Sequence, residues 1–140
     1  MKKSYDFFIS SRWRNRDKVL ELAKKLRSKG FSVYCFMEEK DNPGTIHDDP
    51  EEVMAKFESR EDWRNDPFVK KILKRDLRGL EASKNVVVLL PGGKSTHLEA
   101  GIGYGLGKKL ILIGEQKETE SLYLIFSEFY PTIDHFIRSV

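Results

Sequence analysis

The chain alternates short apolar runs with stretches whose apolar residues recur every three or four positions. Asn85 to Leu90 and Leu110 to Ile113 are continuously apolar, which is typical of parallel strands covered on both faces. Tyr5 to Ser10 and Phe31 to Met37 are rich in aromatic and β-branched residues, and Ser121 to Phe126 has the character of an edge strand. The pattern therefore predicts a sheet of four to five strands.

Helical periodicity fills the intervals between these strands. The predicted helices cover residues 17–29, 50–59, 68–82, 97–107 and 132–138, with Gly30 as a C-cap, Asp49 as an N-cap and Pro131 at a first helical position. Because helices alternate with strands, the chain is predicted to be one flavodoxin-like, doubly wound α/β domain over residues 1–140. In such sheets ligands bind beyond the carboxyl ends of the strands, which points to residues 10–15, 38–49 and 91–99.

Composition and charge narrow the function classes. The 140 residues carry 25 Lys and Arg against 22 Asp and Glu, and this net charge of +3 is too small and dispersed to indicate nucleic acid as the partner. The single cysteine, Cys35, has apolar neighbours and is predicted to be a buried thiol in a reducing compartment. No signal peptide or membrane span is recognisable, so a cytoplasmic protein is expected.

The segment from Pro91 to Gly114 contains Gly-Lys-Ser-Thr but matches neither common nucleotide motif. A phosphate loop would need glycine five positions before Gly93, where Val88 stands. The dinucleotide fingerprint G-x-G-x-x-G also fails at each possible start in the segment. What remains is a Gly-rich turn, then a glutamate, Glu99, in a Gly-rich helix between two apolar strands.

Glu99 has two interpretations. Thr96 and Glu99 match the capping box [ST]-x-x-E, in which the glutamate only bonds back to the N-cap amide. Alternatively, Glu99 is a nucleophile: the positive field of the helix N-terminus favours its ionised form. The four alternate glycines from Gly101 to Gly107 each cost about 1 kcal/mol in a helix, which indicates close approach of a strand, a subunit or a ligand.

The segment NVVVLLPGG through STHLEAGIGYGLGKKLILI resembles the nucleoside 2-deoxyribosyltransferase family. The resemblance implies that Glu99 forms a covalent glycosyl-enzyme intermediate and that Asp76 is a second catalytic carboxylate. An ion pair of Asp76 with Arg75 or Arg78 in solvent is the alternative for that residue. The weaker match at YDFFISSRW implies four residues that face the substrate, namely Tyr5, Ser10, Ser11 and Arg12.

The turn before Glu99 departs from the family, because many members have an acidic residue there. Here Gly92, Gly93, Lys94, Ser95 and Thr96 provide a lysine, hydroxyls and helix N–H groups instead. These groups suit a 5′-phosphate, which favours the nucleotide-hydrolysing branch.

The start of the chain, YDFFISSRWRNRD, also resembles a TIR domain. The alternatives to a nucleoside or nucleotide enzyme are therefore a TIR-like NAD-cleaving domain and a non-catalytic nucleotide-binding signalling module. Arg12 and Arg14 are candidates for a phosphate clamp. Trp13 and Trp63 are candidates for stacking on a base, with core or interface packing as the alternative.

The family resemblance implies no metal and no organic cofactor. It implies a small-molecule nucleoside or nucleotide as partner, and a homodimer or higher homo-oligomer with a contact near residues 123–130. No nucleic acid and no membrane partner are expected.

Overall fold

A computed structural model describes residues 4–140. Five parallel strands form one sheet in the order β2-β1-β3-β4-β5, which confirms the predicted flavodoxin-like class. The strands are β1 (Tyr5–Ser10), β2 (Val33–Cys35), β3 (Ser83–Leu89), β4 (Lys109–Ile113) and β5 (Glu128–Tyr130).

Five α-helices connect the strands, and the sequence predicts the cap at the start of one of them and the glycine after the end of another. Asp49 Oδ1 accepts a hydrogen bond from the Glu51 amide, and Gly30 follows the first helix at a φ of 92°. The helices are α1 (Arg16–Ser28), α2 (Pro50–Glu58), α3 (Pro67–Glu81), α4 (Lys94–Gly105) and α5 (Ile133–Ser139).

The two faces of the sheet have separate cores. Side chains from β1, β3 and β4 that point to one face pack with α1 and α5 around Phe136, Leu22 and Ile9. The opposite face packs with α3 and α4 around Phe8, Val88 and Leu80. Each central strand is buried on both sides, which accounts for its continuous apolar run. Ser10 lies two positions after Phe8 and so belongs to the α3–α4 face.

Two sequence predictions at the carboxyl-terminal end are wrong. Ser121–Ile125 is a 3-10 helix, and the edge strand is Glu128–Tyr130. In this 3-10 helix Leu122 and Leu124 are exposed, whereas Tyr123 and Ile125 pack against the core on the α3–α4 face of the sheet. Pro131 is not in the last helix, since Thr132 is its N-cap and accepts the His135 amide. The second strand is also shorter than the predicted residues 31–37.

Candidate active site

A cleft opens beyond the carboxyl ends of β1 and β3, between which the strand order reverses. Its volume is about 340 Å³, and residues from α2, α3, α4 and the segment after β2 line it. Ser11, Asp76, Ser95 and Glu99 all reach it. The remainder of the wall is largely apolar and includes Trp13, Phe36, Met54, Phe57, Ile72 and Ile102.

Glu99 is held from the sheet and not from its own helix. Its Oε1 accepts a 2.7 Å hydrogen bond from the hydroxyl of Ser10, the last residue of β1. The capping-box interpretation is wrong, because α4 begins three residues before the predicted start and Gly93 is the N-cap. Thr96 is therefore the third helical residue, and its Oγ1 accepts the Gly93 amide at 3.1 Å. Glu99, in the second turn, is free to face the cleft.

Burial raises the pKa of Glu99 to about 8, and the nearby Asp76 carboxylate adds to this rise. The hydrogen bond from Ser10 and the charge of Arg75 lower the pKa by smaller amounts. Burial thus opposes the ionised form that the helix N-terminus is expected to favour. Protein atoms surround the carboxyl closely, yet its side chain keeps some accessible surface toward the cleft, so water there moderates the shift.

Asp76 lines the cleft, and its hydrogen-bond partners all bind one of its two carboxylate oxygens. Its Oδ1 accepts hydrogen bonds from the Tyr34 hydroxyl at 2.9 Å and from two nitrogens of Arg75 at 2.9 and 3.0 Å. The pair with Arg75 is partly buried and Arg78 bonds instead to the Lys74 carbonyl, so a solvated surface ion pair does not describe it. Asp76 Oδ2 has no hydrogen-bond partner within residues 4–140.

Arg75 also fastens the segment that follows β2. Its Nη1 donates to the Asp41 carbonyl at 2.6 Å and to Asn42 Oδ1 at 3.0 Å. The Asn42 amide in turn donates to the carbonyls of Phe36 and Glu39. Asn42 lines the cleft, but these bonds commit its amide to the protein. Sequence reasoning missed Tyr34 and Asn42, since neither lies in a motif and their partners are 42 and 33 positions away.

The Gly-rich turn is shaped by Thr96. A Cβ on Gly92 would lie 2.7 Å from the Thr96 methyl group, so only glycine fits there. Thr96 is fully buried and its hydroxyl accepts from Gly93, so its side chain is not available to a ligand. The amides of Lys94, Ser95 and Thr96 precede the first intrahelical bond, which His97 donates to Gly93. These three N–H groups form the open N-terminus of α4.

The three arginines after β1 differ in their partners. Arg14 is bound to Glu51 and Glu58 of α2, and Arg16 is bound to Asp17 and to a backbone carbonyl. Arg12 has no ion-pair partner within residues 4–140, and its buried Nε makes no hydrogen bond there. The Arg12 Cβ would lie 3.6 Å from a Cβ on Gly93, which places this arginine against the α4 turn.

Four of the predicted site residues line the cleft, namely Ser11, Asp76, Ser95 and Glu99. Lys94 and Tyr5 line other cavities. Lys94 lines a neighbouring cavity of about 250 Å³ with Glu58 and Trp63. Tyr5 begins β1, at the strand end opposite Ser10, and packs edge-on against Tyr34. It lines a separate cavity with Tyr34 and Arg75, and it is not among the residues that line the cleft.

Trp13 is buried and forms part of the cleft wall beside Phe36. Trp63 is half-exposed and lies against the guanidinium of Arg64. Within the described part of the chain, no helix is both long and apolar enough to cross a membrane.

No family model and no curated protein matches the chain. Solved structures do. A 2-deoxyribosyltransferase from the psychrotolerant bacterium Bacillus psychrosaccharolyticus is 16% identical with a TM-score of 0.60, over 94% of this chain and 90% of that one. The Clostridium botulinum CMP N-glycosidase BcmB is 15% identical with a TM-score of 0.53, over 96% of each chain. At these identities the likeness establishes a shared fold: the chain has the architecture of a 2-deoxyribosyltransferase and of a CMP N-glycosidase.

Proposed function

We propose that the protein cleaves or transfers the N-glycosidic bond of a nucleoside or nucleoside 5′-monophosphate, with Glu99 as nucleophile. The observation that carries the proposal is the placement of Glu99. Its carboxyl group, bonded to Ser10, lies in an apolar cleft at the switch point of the sheet, with Asp76 in the same cleft. The two solved neighbours, a 2-deoxyribosyltransferase and a CMP N-glycosidase, support the same bond as the target.

The chemistry follows that of retaining glycosidases. Ionised Glu99 attacks the anomeric carbon while the C–N bond breaks, and the bonding pair leaves with the base, which takes up a proton. Water or a second base then attacks the same carbon and releases the Glu99 carboxylate. Water gives hydrolysis and a second base gives transfer, and in both cases the incoming nucleophile loses a proton.

Asp76 is proposed to act as a charged neighbour of the reacting sugar. Arg75 and Tyr34 occupy Oδ1, so Oδ2 is the oxygen that remains for the ligand. A fixed negative charge beside the anomeric carbon stabilises the positive charge of an oxocarbenium-like transition state.

A 5′-phosphate would bind at the open N-terminus of α4. Three backbone N–H groups and Ser95 lie at this end of the helix, and Arg12, which has no ion-pair partner within residues 4–140, packs its Cβ beside Gly93. Helix N-termini and arginine are both suited to phosphate. Lys94 is not a first choice as a phosphate ligand, because it lies beside Glu58. Gly92 and Gly93 shape the turn without offering side-chain contacts.

The proposal is tested by incubating the protein with nucleosides, their 5′-monophosphates and NAD, and by following free base chromatographically. We expect base release by the wild-type protein and its loss, by at least about 10³-fold, in Glu99→Gln, since an amide is no nucleophile. A 2-fluoro nucleoside should trap one sugar per chain on the peptide that contains Glu99. Release of nicotinamide alone would favour the TIR-like alternative, and equal turnover by Glu99→Gln would exclude Glu99 as nucleophile.

A further inference from the structure

The Ser10 side chain has three possible roles: to bind the substrate, to stabilise the fold, or to orient Glu99. It is fully buried at the end of β1, and it is not among the residues that line the cleft. Direct contact with a ligand therefore requires that Glu99 or the β1 end move aside. The residue next to it, Ser11, does line the cleft, but its hydroxyl donates to the Leu89 carbonyl at 2.8 Å.

The Ser10 hydroxyl has one proton and two possible acceptors. Glu99 Oε1 lies at 2.7 Å and the Thr96 carbonyl at 3.3 Å. When Glu99 is ionised, the shorter contact is that of a charge-assisted O–H···O hydrogen bond, so the Ser10 hydroxyl donates to the carboxylate oxygen.

The consequence for Glu99 is an asymmetric carboxylate. Oε1 is held by Ser10, whereas Oε2 has no hydrogen-bond partner within residues 4–140. A hydrogen bond to one oxygen restrains rotation of the group and leaves the other oxygen free to react. It also favours the ionised form, which a nucleophile requires and which burial opposes.

We propose that Ser10 is a positioning residue of the glutamate, which fixes Oε1 and thereby makes Oε2 the oxygen that attacks the anomeric carbon. This inference rests on the proposed function, and it replaces substrate binding as the role of Ser10. The serine keeps its proton throughout, so it acts through orientation and charge stabilisation and forms no bond to the sugar.

The test compares Ser10→Ala with Ser83→Ala. Ser83 is a matched control, because it is equally buried and its hydroxyl donates at 2.7 Å to the Gly79 carbonyl, away from the cleft. Both variants lose one buried hydrogen bond of a serine. Only Ser10→Ala loses a bond to the carboxylate. We expect it to lower kcat by roughly 10- to 100-fold, measured at a pH high enough to ionise Glu99 fully.

Two readouts separate positioning from a structural role. Carboxyl carbon NMR, with Glu99→Gln to assign the signal, should show Glu99 titrating at higher pH in Ser10→Ala and at the wild-type pH in Ser83→Ala. The rising limb of kcat/KM against pH should move in the same direction in Ser10→Ala alone. The proposal would be overturned if Glu99 titrated at the same pH in Ser10→Ala as in the wild-type protein, or if kcat of Ser10→Ala were unchanged at a pH that ionises Glu99 fully.

The NMR titration needs no turnover and therefore separates this inference from the function on which it rests. If the wild-type protein releases no base from any substrate, the proposed function fails and the positioning role fails with it. A shifted titration in Ser10→Ala would then still establish the hydrogen bond itself, so the two failures are distinguishable.

Discussion

Glu99 is the residue at which the opposing physical effects are easiest to separate. Burial and the Asp76 charge stabilise its neutral form, while Ser10 and Arg75 stabilise its ionised form. Burial is the largest of these effects, and with a pKa of about 8 we expect the free protein to hold Glu99 mainly protonated at neutral pH. The nucleophile is therefore available in the free protein only when solution or ligand removes the proton.

This protonation predicts the pH dependence of turnover. Because attack requires the carboxylate, kcat/KM should rise with pH, reach half its maximum near the Glu99 pKa of about 8, and level off above it. Initial rates from pH 5.5 to 9.5 at low substrate concentration measure the profile. A flat profile across this range would show that Glu99 is ionised well below neutral pH.

The raised pKa of Glu99 also predicts that the stability of the fold depends on pH. The folded pKa of about 8 lies above the ordinary value of 4.5, so Glu99 contributes stability that is complete below pH 4.5 and is lost as pH rises toward 8. The wild-type free energy of unfolding should therefore fall between pH 5 and 8 by on the order of 3 kcal/mol more than that of Glu99→Gln. Urea unfolding at several pH values makes the comparison, and parallel curves would contradict it.

Arg12 is the residue on which recognition of phosphate is predicted to depend. Arg12→Ala should raise KM for 5′-monophosphates roughly 10-fold or more relative to the matching nucleosides, since charge-assisted hydrogen bonds are lost. Arg14→Ala is the control, because Glu51 and Glu58 already occupy that guanidinium and the ratio of the two KM values should stay unchanged. If Arg12→Ala raised KM equally for 5′-monophosphates and nucleosides, Arg12 would not bind the phosphate.

At the scale of elements, the packing and the end of α4 account for two of its four alternate glycines. Gly103 packs against the sheet: a Cβ there would lie 3.0 Å from Val86 Cγ2 and 3.2 Å from Leu110 Cδ2. Gly107 lies beyond the end of the helix at a φ of 77°, so it is a terminator and not a cost to the helix. A Cβ on Gly101 or Gly105 would meet no atom within 4 Å among residues 4–140.

These environments predict opposite effects of the same substitution. Gly103→Ala should destabilise the fold by about 1–3 kcal/mol, because the methyl group presses on β3 and β4. Gly101→Ala should stabilise the monomer by about 0.5–1 kcal/mol, because it only restricts the unfolded chain. Thermal and urea unfolding at low protein concentration measure both, and destabilisation of similar size by both would contradict the packing argument.

Elements with strong periodicity could be predicted from sequence, and those fixed by distant contacts could not. The order of strands and helices up to β4 and the caps at Gly30 and Asp49 follow from local residues. The start of α4 does not, because a side chain at its third position bonds back to a glycine. Glu99 is identifiable from its segment, but its partner Ser10 lies 89 positions away, and no local pattern reports such a pair.

At the scale of the whole molecule, apolar side chains remain exposed along the 3-10 helix and the edge strand near the carboxyl terminus. Leu122, Leu124 and Phe129 are 71%, 84% and 57% exposed, and His97 of α4 hydrogen-bonds Tyr123 at 2.7 Å. This surface supports the expected homo-oligomer contact near residues 123–130.

The contact predicts a change of mass on substitution. If the wild-type protein is a dimer, Leu122→Glu with Leu124→Glu should shift it to a monomer, since charges would then replace the exposed apolar side chains. Lys117→Glu, also exposed, is the control and should leave the mass unchanged. Light scattering coupled to size exclusion measures the mass, and a monomeric wild-type protein would contradict the contact.

The pairing of β1 with β3 governs when this site can exist during synthesis. Tyr5 lies opposite Ser83, so β1 is synthesised 78 residues before the strand that becomes its neighbour in the sheet. Until β3 leaves the ribosome, one edge of β1 stays unpaired, and such edges invite association between nascent chains. We therefore expect a chain truncated before Ser83 to aggregate, and we expect slow codons upstream of that point to lower the yield of native protein.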